Sequence, residues 1–126
     1  FLARRRHQDV IRAALVKVMD EHQLDALVLP YRTTVAADID AVPTARTPRS
    51  RRSNANNSLH AYTGLPTLIV PGGFFESDGM PFGMQFLGRE FSEPTLIKLA
   101  SGYEAVTRHR RAPTSTPPLK GEKFTY

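Results

Sequence analysis

Two short apolar runs constrain the fold of this chain more than any other feature: Ala26, Leu27, Val28 and Leu29, closed by Pro30, and Thr67, Leu68, Ile69 and Val70, closed by Pro71. Successive side chains of a strand point to opposite faces, so a run that is apolar throughout predicts a strand covered on both sides. Two such strands require helices above and below a sheet, and paired neighbours at its edges. A third strand is expected at residues 82–87, after the turn signal Ser77, Asp78 and Gly79. Strands 67–70 and 82–87 then read as an antiparallel hairpin with a long connection, the first arm broken by Pro71, Gly72 and Gly73. Gly83, inside the third strand, predicts the close approach of a neighbouring backbone.

The helices that cover these strands are legible by period. Over residues 4–22, Val10, Ile11, Ala14, Leu15, Val18 and Met19 recur at three- and four-residue spacing and place one apolar stripe on a helix. Arg4, Arg5 and Arg6 oppose the macrodipole at a helix start, so this helix is expected to begin upstream of Phe1. Asn54 is the expected cap of a short helix running through Leu59 to about Tyr62, ended by Gly64 and Pro66. Ser92 is the expected cap of the last helix, residues 93–108, with Glu93 and Pro94 in its first turn. Its apolar face carries Leu96, Leu99, Ala100, Tyr103 and Val106, and Arg108, His109, Arg110 and Arg111 sit at its negative end. One core is expected, over residues 1–113, with 114–126 an extended tail in which Pro117 and Pro118 forbid a helix. Residues 31–53 show no period. A stretch that long inside a compact domain is either a functional loop or one whose packing partner lies elsewhere.

Composition excludes several chemistries. Seventeen Lys and Arg against twelve Asp and Glu leave a net charge of +5. The charge falls in three separate places, Arg4 to Arg6, Arg46 to Arg52 and Arg108 to Arg111, without interleaved aromatics to stack bases, so nucleic acid is not an expected partner. There is no cysteine, hence no disulfide framework or thiolate metal site, and the compartment is left open. No apolar run approaches the roughly 18 residues of a membrane span. His7, His22, His60 and His109 stand singly without chelating spacing and read as surface or packing residues. Asp38 and Asp40 are too sparse for a calcium loop or a catalytic carboxylate pair. Lys98 and Ser101 are three apart on the last helix, but Lys98 falls on its polar side, where desolvation does not make it a base. Gly72 and Gly73 follow a strand, but no phosphate-loop lysine comes after them. The residues therefore offer no self-contained active site and imply no cofactor and no metal.

The segment 63–100, TGLPTLIVPGGFFESDGMPFGMQFLGREFSEPTLIKLA, resembles the C-terminal segment of amidase-signature enzymes. That family carries G-x-P before an apolar strand ending in Pro and Gly, a D-G-x-P turn, a G-x-Q strand closed by Gly-Arg, and a helix opened by an acidic residue. Gly64, Pro66, Pro71, Gly73, Gly79, Pro81, Gly83, Gln85, Gly88 and Arg89 fit that order. The similarity runs on to RHRRAP at 108–113 and, more loosely, back to DALVLP at 25–30 and the Asn-rich residues 53–57. Gly72 stands where alanine is commoner, and Phe82 and Met84 are bulkier than the usual aliphatics.

The resemblance implies an α/β fold in which this chain forms part of a mixed β-sheet flanked by helices. It implies hydrolysis of carboxamide C–N bonds by a serine nucleophile, a bridging serine and a lysine, with a Gly-Ser-rich loop as the oxyanion hole. None of those motifs occurs in this chain, so no catalytic residue is carried over and no substrate-binding residue is assigned. The chain is expected to supply scaffold and a pocket wall, partnered by an upstream catalytic segment of the same protein and acting on a small-molecule amide. Without that segment the chain is expected to self-associate through its sheet edges. The alternative is a free-standing, non-catalytic module that binds a partner through unpaired sheet edges or its basic loop.

Overall fold

The computed structural model describes residues 2–33, 58–112 and 119–122. In chain order its elements are α1 (Leu2–Glu21), β1 (Leu27–Pro30), α2 (Leu59–Thr63), β2 (Thr67–Phe74), β3 (Pro81–Leu87) and α3 (Glu93–Thr107). The three strands form one sheet in the order β1-β3-β2. Both pairings are antiparallel, so among the described residues the sheet is antiparallel throughout and β3 is its centre. The expected hairpin is present: β2 returns as β3 with Thr67 opposite Leu87 and Ile69 opposite Gln85. Its connection is closed by Phe75 N–H donating to Met80 O and by the Asp78 carboxylate accepting from Met80 N–H.

Residues paired across antiparallel strands share a face. Val28, Phe86 and Leu68 form one row and Pro30, Met84 and Val70 the next, all on the side covered by α3. There Val70, Phe86, Leu96 and Ala100 make a buried cluster, flanked by Ala26, Leu68, Met84 and Tyr103. Leu27, Leu87 and Thr67, then Leu29, Gln85 and Ile69, lie on the opposite side. Short α2 sits over Gln85 on that side, and α1 is tied in at the end of the sheet. The layered α/β architecture is thus the expected one.

Several local expectations are corrected. Pro71, Gly72 and Gly73 do not break β2; the strand continues to Phe74 through a bulge, with Pro71 opposite Gly83 and Gly73 opposite Phe82. Gly72 is the extra residue, and a Cβ there would meet the Phe82 ring at 2.6 Å, so the glycine lets the aromatic lie over the bulge. Gly83 does mark a close approach, but the neighbour is the Ile69 side chain rather than a backbone, its Cγ2 lying 2.7 Å from where a Cβ would be.

Ser92 occupies the cap position of α3, yet its hydroxyl donates back to Arg89 O at 2.7 Å and makes no cap bond. The expected cap Asn54 lies outside the described residues. Helix α2 follows Ser58 and ends as anticipated at Gly64, which is left-handed at φ 74°.

The coverage expected on both faces of both apolar runs is incomplete, because α3 lies over β2 and β3 while α2 has only five residues. Val28 is 55% exposed and Ile69 42%, and each belongs to a strand that has β3 as its sole described neighbour. The helix stripes are narrower than their periods suggest. On α1, Met19 is buried and Ile11, Leu15 and Val16 are half-buried, whereas Val10 is 65% exposed. On α3, Leu96 and Ala100 are buried but Val106 is 84% exposed. The basic residues lie beyond the last turn of α3, where Arg108 Nε donates to Ala105 O and Arg111 stacks over the Phe74 ring, 4.8 Å from its centroid. The boundary expected at residue 113 lies outside the described residues. Of the expected tail only 119–122 is described, a turn in which Glu122 N–H donates to Leu119 O.

Candidate functional site

Most of the glycine-and-arginine pattern in residues 63–100 turns out to hold the fold together. A Cβ on Gly88 would meet Ser92 Oγ at 2.3 Å and Leu96 Cδ2 at 3.0 Å, so a glycine is needed for α3 to close onto the end of β3. Arg89 pairs with Asp20 and donates to Leu24 O at 3.1 Å, pinning the turn after α1 to the sheet. Arg12 completes the frame, its Nε donating to Thr63 O at 2.6 Å and its Nη1 to Glu90 at 2.8 Å. Thr63, wholly buried, donates in turn to Leu59 O and accepts from Leu65 N–H.

Gln85 is different. It is fully buried at the centre of the sheet, and its Oε1 has no hydrogen-bond partner, which costs about 1–3 kcal/mol against a paired carbonyl. Its Nε2 lies 3.5 Å from Nδ1 of His60 on α2. The His60 ring is in turn tilted against Tyr31, with centroids 6.4 Å apart, and Tyr31 N–H donates to Gly83 O. Tyr31 and His60 therefore bring together the two ends of the intervening chain on the sheet face opposite α3. An amide, an imidazole and a phenol can bind and orient an amide or carboxylate by hydrogen bonds. They do not include an activated nucleophile.

The other chemistry-bearing residues are not assembled. Lys98 and Ser101 are both exposed on α3. Thr67, Ser92 and Thr107 donate to backbone carbonyls, and Ser77 donates to Asp78 in the exposed turn. His7 packs edge-on against Tyr62 and His109 lies tilted against Tyr103, while His22 is exposed at the end of α1. Among the described residues no three His, Asp or Glu side chains converge as a metal site, and no helix is long and apolar enough to cross a membrane. Asp38, Asp40 and the arginines at 46–52 lie outside the described residues. A separate cleft of about 500 Å3 opens beside the β2 bulge, with Pro71, Phe74 and Pro81 as its floor and His109, Arg110 and Arg111 on its wall.

The comparison with known proteins decides the family. The Amidase family model matches residues 1–97. This chain belongs to the amidase family. It is 31% identical over 106 residues to a probable amidase of Arabidopsis thaliana, an alignment covering 84% of this chain and 16% of that protein. It is 36% identical over 92 residues to a glutamyl-tRNA(Gln) amidotransferase subunit of Roseiflexus sp. strain RS-1, covering 72% of this chain and 18% of that one. Over 51 residues the identity to the corresponding subunit of Chloroflexus aggregans rises to 49%. The chain thus spans under a fifth of the length of these relatives.

In the sequence Gln85 stands out only as part of the family pattern, and His60 reads as a surface or packing residue. The available signal is the amide itself: FGMQFL places one Gln amid apolar residues in an expected strand. A buried polar group needs a partner, but nothing local says that the partner is His60, 25 residues away.

Proposed function

We propose that this chain is the carboxy-terminal scaffold of an amidase-type hydrolase of carboxamide C–N bonds, and that it contributes one wall of the substrate pocket. The nucleophile, bridging serine, lysine and oxyanion loop come from other residues of the same protein, and the substrate is a small-molecule amide. The observation carrying this reading is the family match across residues 1–97 in a chain that spans only 16% and 18% of two relatives. The described side chains that support it form a braced sheet with the Gln85, His60 and Tyr31 cluster on one face. Amide hydrolysis needs nucleophile, base and oxyanion donors together, because each acts on the same transition state.

Ammonia release from simple carboxamides tests the reading. The chain alone should show no turnover, and the chain expressed with the coding sequence upstream of Phe1 should show it. Turnover by the chain alone that is abolished by Ser92→Ala or Ser101→Ala overturns the scaffold reading. No turnover from the extended protein, folded and soluble, overturns the amidase reading.

A further inference from the structure

Among the described residues Gln85 is the one whose buried side chain carries an unpartnered polar atom, and it lies where an apolar residue would pack with no such loss. Its amide nitrogen faces His60 Nδ1 at 3.5 Å, a long and weak contact beyond the usual range of about 2.7–3.2 Å. An amide nitrogen only donates, so this contact requires Nδ1 to be the bare, accepting nitrogen and leaves the proton on Nε2. Tyr31, tilted at 38° to the imidazole, restricts the ring plane from another side. An amide turned by 180° would present Oε1 to the ring instead and would hold the opposite tautomer.

We propose that Gln85 is a positioning residue, whose buried amide fixes His60 as the Nε2–H tautomer and makes that N–H a standing hydrogen-bond donor for the carbonyl oxygen of a carboxamide ligand. The donor role rests on the amidase reading above; the tautomer does not. The location supports the role: His60 is half-buried on the face opposite α3, against Tyr31, where the chain on either side of residues 34–57 comes together. A donor that is already oriented loses little freedom on binding, whereas a free imidazole divides its proton between two nitrogens.

Long-range 15N–1H spectra of the 126-residue chain at about pH 8.5, above the ordinary histidine value of ~6.5, read the tautomer directly. Magic-angle spinning gives the same shifts if the chain self-associates, and His60→Gln identifies the signals. The expected result is a single Nε2–H form in the native chain. Gln85→Glu, which can only accept, should move the proton to Nδ1, and Gln85→Met should restore the mixture of a free imidazole. A native Nδ1–H form, or a tautomer indifferent to both substitutions, overturns the assignment of Gln85, and packing alone would not produce the reversal by Glu. In the protein expressed with its upstream coding sequence, His60→Ala should raise KM for a simple carboxamide about fivefold, with kcat changed less than about twofold. An unchanged KM removes the donor role. Absence of any turnover there defeats the amidase reading instead and leaves the tautomer result standing.

Discussion

Gly88 and Gly102 show how little a residue's identity says without its surroundings. Both are glycines near the start or middle of α3, yet a Cβ on Gly88 would lie 2.3 Å from Ser92 Oγ, whereas one on Gly102 would meet nothing within 4 Å. Gly88→Ala is therefore expected to destabilise the fold by about 1–3 kcal/mol through overpacking. Gly102→Ala should instead stabilise it by about 0.5–1 kcal/mol, since alanine loses less freedom in a helix. Urea unfolding midpoints of the two variants should move in opposite directions, and equal midpoints would contradict the close closure of α3 onto β3. The sequence shows Gly88 as part of a family pattern, but its reason, contact with Ser92 and Leu96, is not legible there. Ser92 itself illustrates the limit, since its residue type suits a cap and its hydroxyl is taken by Arg89 O.

Among the elements, α3 carries the core. Leu96 is 1% exposed and packs with Val70, Phe86 and Ala100, so Leu96→Ala is expected to cost about 2–4 kcal/mol from lost burial and the cavity left behind. Val106, assigned by period to the same apolar face, is exposed, and Val106→Ala should change stability by no more than about 0.5 kcal/mol. Thermal unfolding distinguishes the two. A large effect at Val106 would mean that the exposed side of α3 is covered in solution. Element positions were well read from the sequence, because helix period and apolar runs are local signals. The extension of β2 past Pro71 was not, because a bulge depends on the Phe82 ring of the returning strand.

For the whole molecule the exposed sheet edges matter most. Val28 on β1 and Ile69 on β2 are apolar, partly exposed, and placed on strands whose outer sides have no described strand beside them. Unpaired apolar edges template pairing with another chain. The isolated chain should therefore self-associate, and Val28→Lys combined with Ile69→Lys should shift it toward monomer on gel filtration. A few hundred Å2 of uncovered apolar surface forfeits several kcal/mol at about 25 cal/mol per Å2, comparable with the whole stability of a small domain. A monodisperse monomer of the unmodified chain, unfolding cooperatively above about 60 °C, would show instead that it is a self-sufficient domain.

The sequence by itself determined the order and approximate places of the helices and strands, that β2 and β3 form a hairpin, and which family the chain resembles, since all three are written in neighbouring residues. Tertiary structure alone decided which apolar residues are covered. A period of 3.6 orients a stripe, but its buried width depends on what packs against it: Met19 is buried while Val10, on the same helix, is not. It also decided the partner of Gln85. Burial of an amide can be foreseen from the strand around it, but the histidine beside it arrives from a different element, carried there by the packing of α2 on the sheet.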